Sequence, residues 1–191
     1  MSQEIEIEFK NLLTKSEFSA LHDFFRSFSK EEMTQMNHYF ETETFSLKNN
    51  GAALRIREKG NHFSATLKQP NPLGPGLLET HQDISVNEAD QWFQNKIQPD
   101  IEIADALSHL GVDVKQLRYG GKLETTRTEL AYQDVLVVLD HSRYNGREDY
   151  ELELECKEEK QGLAVFHQLL EQFHIPERKT MNKIARFYHT L

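Results

Sequence analysis

The stretch Glu4-Ile5-Glu6-Ile7-Glu8-Phe9-Lys10 alternates charged and apolar residues without a break. Extended backbone sends successive side chains to opposite faces, so Glu4, Glu6, Glu8 and Lys10 share one face of a strand and Ile5, Ile7 and Phe9 the other. Carboxylates crowded along one strand repel, and such a face is either open to solvent or built to hold cations. The pattern returns near the other end, where Glu151, Glu153 and Glu155 oppose Leu152, Leu154 and Cys156. Between them lie basic segments. Ala53-Leu54-Arg55-Ile56-Arg57 puts Arg55 and Arg57 on one face, Phe63-Ser64-Ala65-Thr66-Leu67-Lys68 aligns Ser64, Thr66 and Lys68, and Thr125-Thr126-Arg127-Thr128-Glu129 adds a further cation beside a carboxylate. In one sheet the apolar faces must be covered and the charged faces come together. If the sheet closes into a barrel, its edges vanish and the charges point inward.

The remaining strand signals fall at about 38–48, 52–59, 62–69, 77–85, 121–131, 134–142 and 148–156. Turn residues at Asn49-Asn50-Gly51 and Gly60-Asn61 make the flanking strands antiparallel neighbours. The run Gln69-Pro70-Asn71-Pro72-Leu73-Gly74-Pro75-Gly76 reads as a loop, because its composition cannot sustain a ladder. Helix signals lie between the strands. Thr14 and Glu17 form a capping box, Leu13 can staple to Phe18, and Leu21, Phe25 and Phe28 continue the stripe. Asn87 is placed to cap a helix carrying Ala89, Trp92 and Phe93, and a short helix over Ile103 to Leu110 stops before Gly111. Two helices end the chain, one with Leu163, Phe166, Leu169, Leu170 and Phe173, and one after Pro176 with Met181, Ile184 and Phe187. With no repeat and no linker, the expectation is a single α+β domain over residues 1–191.

A formal net charge of −9 argues against nonspecific binding to nucleic acid or anionic membranes, both of which need surplus Lys and Arg. Local cation clusters can still hold a compact anion. Cys156 stands alone, so no intramolecular disulfide forms, and a reducing compartment is consistent with that. The amino terminus lacks the basic start and apolar core of a secretory signal, and no apolar run is long enough to span a bilayer, so a cytoplasmic protein is expected. The nine histidines are scattered without a zinc-ligand spacing. His22, His38, His109 and His167 read as ordinary surface or packing residues.

The chain resembles the CYTH superfamily, the triphosphate tunnel metalloenzymes, whose hallmark is an amino-terminal Glu-x-Glu-x-Lys strand matched here by Glu6, Glu8 and Lys10. Tyr39-Phe40-Glu41-Thr42, the Arg55/Arg57 strand, Thr66-Leu67-Lys68, Arg127, Val138-Leu139-Asp140, Glu151-Leu152-Glu153 and Lys183-Ile184-Ala185-Arg186-Phe187 follow in the family's order. The resemblance implies an eight-stranded antiparallel barrel with flanking helices, whose tunnel binds a triphosphate-containing small molecule. It implies phosphate-binding roles for Lys10, Arg55, Arg57, Lys68, Arg127 and Lys183, and metal or water-positioning roles for Glu6, Glu8, Glu79, Asp140, Glu151 and Glu153. Glu6, Glu8 and Lys10 form its catalytic motif. Glu4 and Glu155 fall at the rims, and Lys122 and Arg186 are secondary candidates. Thr125 stands where the family pattern has a Lys. Carboxylates act on an anionic substrate only through a bound cation, and Mg2+ or Mn2+ takes such hard oxygen ligands. The expected activity is metal-dependent hydrolysis of inorganic triphosphate or a simple organic triphosphate, as in relatives such as thiamine triphosphatase. The alternatives are a class IV adenylyl cyclase and a noncatalytic polyphosphate or nucleotide binder.

Overall fold

The computed structural model describes residues 2–190, apart from the side chains of Ser2 and Glu4. Eight strands, β1 (Ser2–Leu13), β2 (Lys30–Thr42), β3 (Ala53–Lys59), β4 (His62–Pro70), β5 (Leu77–Ile84), β6 (Leu117–Tyr132), β7 (Val135–Tyr144) and β8 (Arg147–Cys156), run in the order β1-β5-β4-β3-β2-β6-β7-β8 and close into an antiparallel barrel. Helices α1 (Lys15–Phe24), α2 (Ser46–Asn49), α3 (Val86–Phe93), α4 (Ile101–His109), α5 (Glu159–Gln172) and α6 (Lys183–Tyr188) accompany them. The chain divides into two compact units, one made of Met1–Ile5 and Gln35–Leu123, the other of Glu6–Thr34 and Glu124–Leu191.

In the first unit, strand alternation sends Phe40, Leu54, Ile56, Ala65 and Leu67 to the face that α3 and α4 cover with Ala89, Trp92, Ile103 and Leu107. Trp92 meets Phe40 edge-on at 5.5 Å, the arrangement that aligns a ring's positive edge with its neighbour's negative face. The second unit repeats the device. Val137, Leu139, Leu152 and Leu154 lie under Leu21 of α1 and Val165, Phe166, Leu169 and Leu170 of α5. Within each unit the sheet therefore has one apolar face buried by helices, and the other face is left to the charged residues.

Several local expectations are met and several are moved. Thr14 and Glu17 form the capping box of α1 with both reciprocal bonds. The cap of α3 is Ser85 with Glu88, not Asn87, because a Ser with a Glu three residues on satisfies two orphan N–H groups where Asn87 could satisfy one. Asp100 caps α4 and starts it at Ile101. The strand expected over 38–48 instead runs from Lys30 and stops at Thr42. There the buried Glu41 carboxylate accepts from the N–H groups of Thr42, Leu47 and Lys48 at 2.8, 3.0 and 2.9 Å and winds the next residues into α2. Pro70 closes β4 instead of opening the loop. Leu163 is exposed on α5, and Met181 is exposed ahead of α6, which Asn182 caps.

Gly162 of α5 marks the tightest approach of helix to sheet. A methyl group there would sit 2.2 Å from Cys156 Sγ, 2.9 Å from Cys156 Cβ and 2.9 Å from a Phe9 ring carbon. Gly162→Ala should therefore destabilise the protein by about 1–3 kcal/mol in urea denaturation, overpacking outweighing the helix propensity gained. A raised urea midpoint would show that α5 rides loosely on β8.

Candidate functional site: two charged sheet faces

Register places the polar side chains of the first unit in rows. Tyr39 pairs with Arg55, Arg55 with Thr66, and Thr66 with His81, so one row crosses β2, β3, β4 and β5. Asn37, Arg57, Ser64 and Asp83 form the adjacent row, and Lys68 faces Glu79 on the other side. Arg57 Nε donates to Asn37 Oδ1 at 3.3 Å. Lys68 and Glu79 form an ion pair with the carboxylate almost wholly buried. Arg55 differs: among the described residues its Nε is buried without a hydrogen-bond acceptor. A buried donor on a cation carries a large desolvation cost when unpaired, so its position suits an anion that arrives from outside the chain.

The polar face of the second unit is denser. Arg127 grips Asp140 with two bonds, Nε to Oδ1 at 2.8 Å and Nη2 to Oδ2 at 2.7 Å, and Nη2 also reaches Glu153 Oε2 at 2.6 Å. Lys183, at the start of α6, binds Asp140, lies 3.2 Å from Glu153 Oε1 and 3.3 Å from Glu151 Oε2. One turn on, Arg186 spans Asp149 and Glu151, with Nη2 2.7 Å from Glu151 Oε2. On β1, Lys10 contacts Glu8 at 2.5 Å and pairs in register with Glu153, while Glu8 faces Glu155. The segment that delivers α6 is tied down: Arg178 binds both oxygens of Glu17 at 2.8 Å, and Asn11, fully buried, accepts from its N–H at 2.6 Å.

These contacts set the protonation states. Burial opposes the charge on Lys10, but the Glu8 and Glu153 carboxylates outweigh it and raise its pKa. Lys183 is driven strongly upward in the same way against its own burial, by Asp140, Glu153 and Glu151. Burial pushes the Asp140 carboxyl up, yet Arg127 and Lys183 prevail and hold it below its ordinary 3.8.

Of the expected residues, Arg55, Arg57, Lys68 and Glu79 share the polar face of the first unit, and Glu8, Lys10, Arg127, Asp140, Glu151, Glu153 and Lys183 share that of the second. Glu6 lies on β1 two residues before Glu8, on the same face, and Glu155 joins them. The Glu4 side chain lies outside the described residues. Lys122 is exposed, and its charge acts on His38, a residue stacked on Phe93 of α3 on the helix-covered side. Arg186, a secondary candidate from sequence, is a full member of the cluster; its i+3 spacing from Lys183 was the available signal. Thr125 is buried and hydrogen-bonds Ser142 Oγ at 3.1 Å, so a neutral pair occupies that position. His81, two residues after Glu79, and Thr66, its partner in register, stand on the same polar face.

Among the described residues no three His, Cys, Asp or Glu side chains form a ready metal-coordinating group. The donor chemistry is nonetheless that of a hard divalent ion, since every candidate ligand offers carboxylate oxygen. Glu8 and Glu155, opposed in register, have Lys10 at 2.5 Å and Arg127 Nη1 at 3.9 Å beside them, cations that temper their repulsion.

Arg127→Gln leaves Asp140 and Glu153 buried without their fork, and should cost about 3–5 kcal/mol in urea denaturation. The acid limb should move too. A depressed carboxyl contributes stability that is complete above its unfolded pKa and lost as pH falls through the folded one; without Arg127 the folded value of Asp140 rises, and melting temperature should begin to fall at a higher pH than in the parent. Parent-like urea and acid profiles would show that Arg127 is not what neutralises this face.

A family model described as the CYTH domain matches residues 4–188. A Bacillus subtilis (strain 168) protein named "Putative triphosphatase YjbK" is 46% identical over 188 residues, covering 98% of this chain and 96% of its own. The crystal structure of a Bacillus halodurans protein named a "putative adenylate cyclase" superposes with a TM-score of 0.91 at 43% identity, covering 98% of this chain and all of its own. A Hippeastrum protein, described as a "putative adenylyl cyclase" that reveals a dominant triphosphatase activity, shares the fold at a TM-score of 0.80 and 22% identity, over 97% of this chain and 96% of its own.

Proposed function

The chain belongs to the CYTH domain family, and on that premise we propose that it is a divalent-metal-dependent triphosphatase, all of its 191 residues serving one functional domain. The observation that carries this reading is the buried Arg55 Nε without an acceptor, on a face that also presents Arg57 and Lys68. A triphosphate offers acceptor oxygens on several phosphoryl groups, and guanidinium forks match phosphate geometry. The names of the Bacillus relatives support phosphoanhydride chemistry on a triphosphate.

Arg55, Arg57, Lys68, Lys10, Arg127 and Lys183 are the proposed phosphate ligands. Their task is to hold the chain of phosphoryl groups and stabilise charge developing on the leaving oxygens, since phosphoryl transfer asks for little covalent chemistry from protein. Lys10 and Lys183 stay charged through the neutral range because their pKa values lie above the ordinary lysine value. Glu6, Glu8, Glu79, Asp140, Glu151 and Glu153, with Glu155, are the proposed metal and water-positioning carboxylates. Asp140 and Glu151 already hold Arg127, Lys183 and Arg186, and Glu8 and Glu155 stand beside Lys10 and Arg127. Bound Mg2+ or Mn2+ would screen the substrate charge and lower the pKa of a coordinated water.

Product analysis with inorganic triphosphate, thiamine triphosphate and ATP tests the reading. Orthophosphate should be released in Mg2+ or Mn2+ and not in chelator, and Glu6→Gln or Glu153→Gln should abolish release from a folded protein. Cyclic AMP and diphosphate from ATP would instead establish the cyclase reading that the Bacillus halodurans name raises. Full turnover in metal-free buffer would contradict the mechanism. Arg55→Ala should weaken triphosphate binding by about 1–3 kcal/mol in calorimetry, the range for a charge-assisted hydrogen bond; unchanged affinity would remove Arg55 from the site.

A further inference from the structure

We infer that Asn11 is a positioning residue for Lys183: its buried side-chain amide fixes the register of residues 176–182, the strap that delivers Lys183 to the phosphate site. This rests on the triphosphate reading above and on Lys183 as one of its ligands. Asn11 breaks the alternation of β1. It shares the face of Ile7, Phe9 and Leu13 and pairs in register with Leu152, on the side where Phe9, Leu13 and Leu152 pack under α1 and α5, yet it is itself fully buried. A primary amide in that setting costs free energy unless its polar atoms find partners. They find them largely in the strap: Oδ1 accepts from the N–H of Arg178 at 2.6 Å, and Nδ2 donates to the carbonyls of Pro176 and Leu12, both at 3.1 Å.

The strap depends on such bonds. Among the described residues no main-chain hydrogen bond joins residues 176–181 to another backbone group, and side chains anchor the segment instead. Thr180 Oγ1 accepts from the N–H of Leu12 at 3.2 Å, and Arg178 Nη1 donates to the Leu12 carbonyl at 2.7 Å and to Glu17 at 2.8 Å. Asn11 alone meets one strap carbonyl and one strap N–H, two residues apart, as a neighbouring strand would. A slip of one residue would break both bonds and carry an extended chain about 3.3 Å along its path, roughly the length of the ion pairs that Lys183 makes. Asn182 then caps α6, so Lys183 is its first residue and inherits the strap's placement directly. The same strand carries Lys10, one residue before Asn11 and on the opposite face, 2.5 Å from Glu8. Through Asn11, β1 sets Lys10 and Lys183 in one frame.

A double-mutant cycle tests the coupling, with inorganic triphosphate as the calorimetric probe and thermal melts confirming the fold. Asn11→Leu keeps the volume, suits the apolar face and removes the amide; it should bind triphosphate about three- to tenfold more weakly, the range of one or two neutral hydrogen bonds acting through the strap. Lys183→Met, in which Arg127 and Arg186 still partner Asp140 and Glu151, should bind about tenfold more weakly or worse. Asn11→Leu combined with Lys183→Met should be within about twofold of Lys183→Met alone, whereas combined with Arg57→Gln its effect should multiply in full. Thr180→Val removes the neighbouring anchor from the half-buried strap, outside the packed core, and should show the same dependence on Lys183; it decides the question if Asn11→Leu does not fold. A purely structural Asn11 would lower the melting temperature and leave no such dependence. Parent-like affinity in the folded anchor variants, a loss that multiplies in full with Lys183→Met, or unchanged affinity in Lys183→Met would overturn the inference and leave the triphosphate reading standing on the other cations. A parent protein that fails to bind inorganic triphosphate would overturn the reading itself and this inference with it.

Discussion

The two-bond grip of Arg127 on Asp140, extended to Glu153, is the interaction on which the polar face of the second unit depends. Asp140 is fully buried, as is Glu151, and neither can shed its charge into water. Buried carboxylates persist only when counter-charges and hydrogen bonds replace hydration. Arg127 supplies these from β6, Lys183 and Arg186 supply them from α6, and the clamp of Arg178 on Glu17 fixes the segment that brings α6 into place. Residues distant in sequence are thereby committed to one arrangement, and the cost of desolvation makes any looser arrangement worse.

The first unit solves a different problem. Lys68 has Glu79 and Arg57 has Asn37, but Arg55 keeps a buried N–H without an acceptor among the described residues. A protein that needed only stability would not hold a donor in that state, since pairing or solvating it costs little on a sheet face. The acid-rich and cation-rich faces are what the proposed divalent metal and polyphosphate would each meet.

Much of this was legible from alternation alone. Period-two charge patterns identified β1, β3 and β8 and placed Glu8, Lys10, Arg55, Arg57, Glu151 and Glu153 on the right faces, because on a sheet with one covered face the parity of a single residue fixes its neighbours. The limits of β2 were not legible, since Glu41 ends it through backbone bonds to residues six and seven further on, a contact no strand periodicity reports. The cap of α3 was missed by two residues because Ser85 and Glu88 act reciprocally while Asn87 looks adequate by itself. Arg186 was undervalued for another reason. Its contacts come from partners on a distant strand, Asp149 and Glu151, and register is not written in any single segment.

Thermal unfolding with inorganic triphosphate and a divalent metal tests the central claim most directly, because a ligand that binds only the folded state raises its melting temperature in proportion to affinity and concentration. Triphosphate together with Mg2+ or Mn2+ should raise the melting temperature by several degrees, more than the two ligands do separately, with orthophosphate at the same ionic strength giving little change. No shift at millimolar triphosphate and metal would contradict the account, since the charged faces would then be compensated within the protein and would have no need of either ligand.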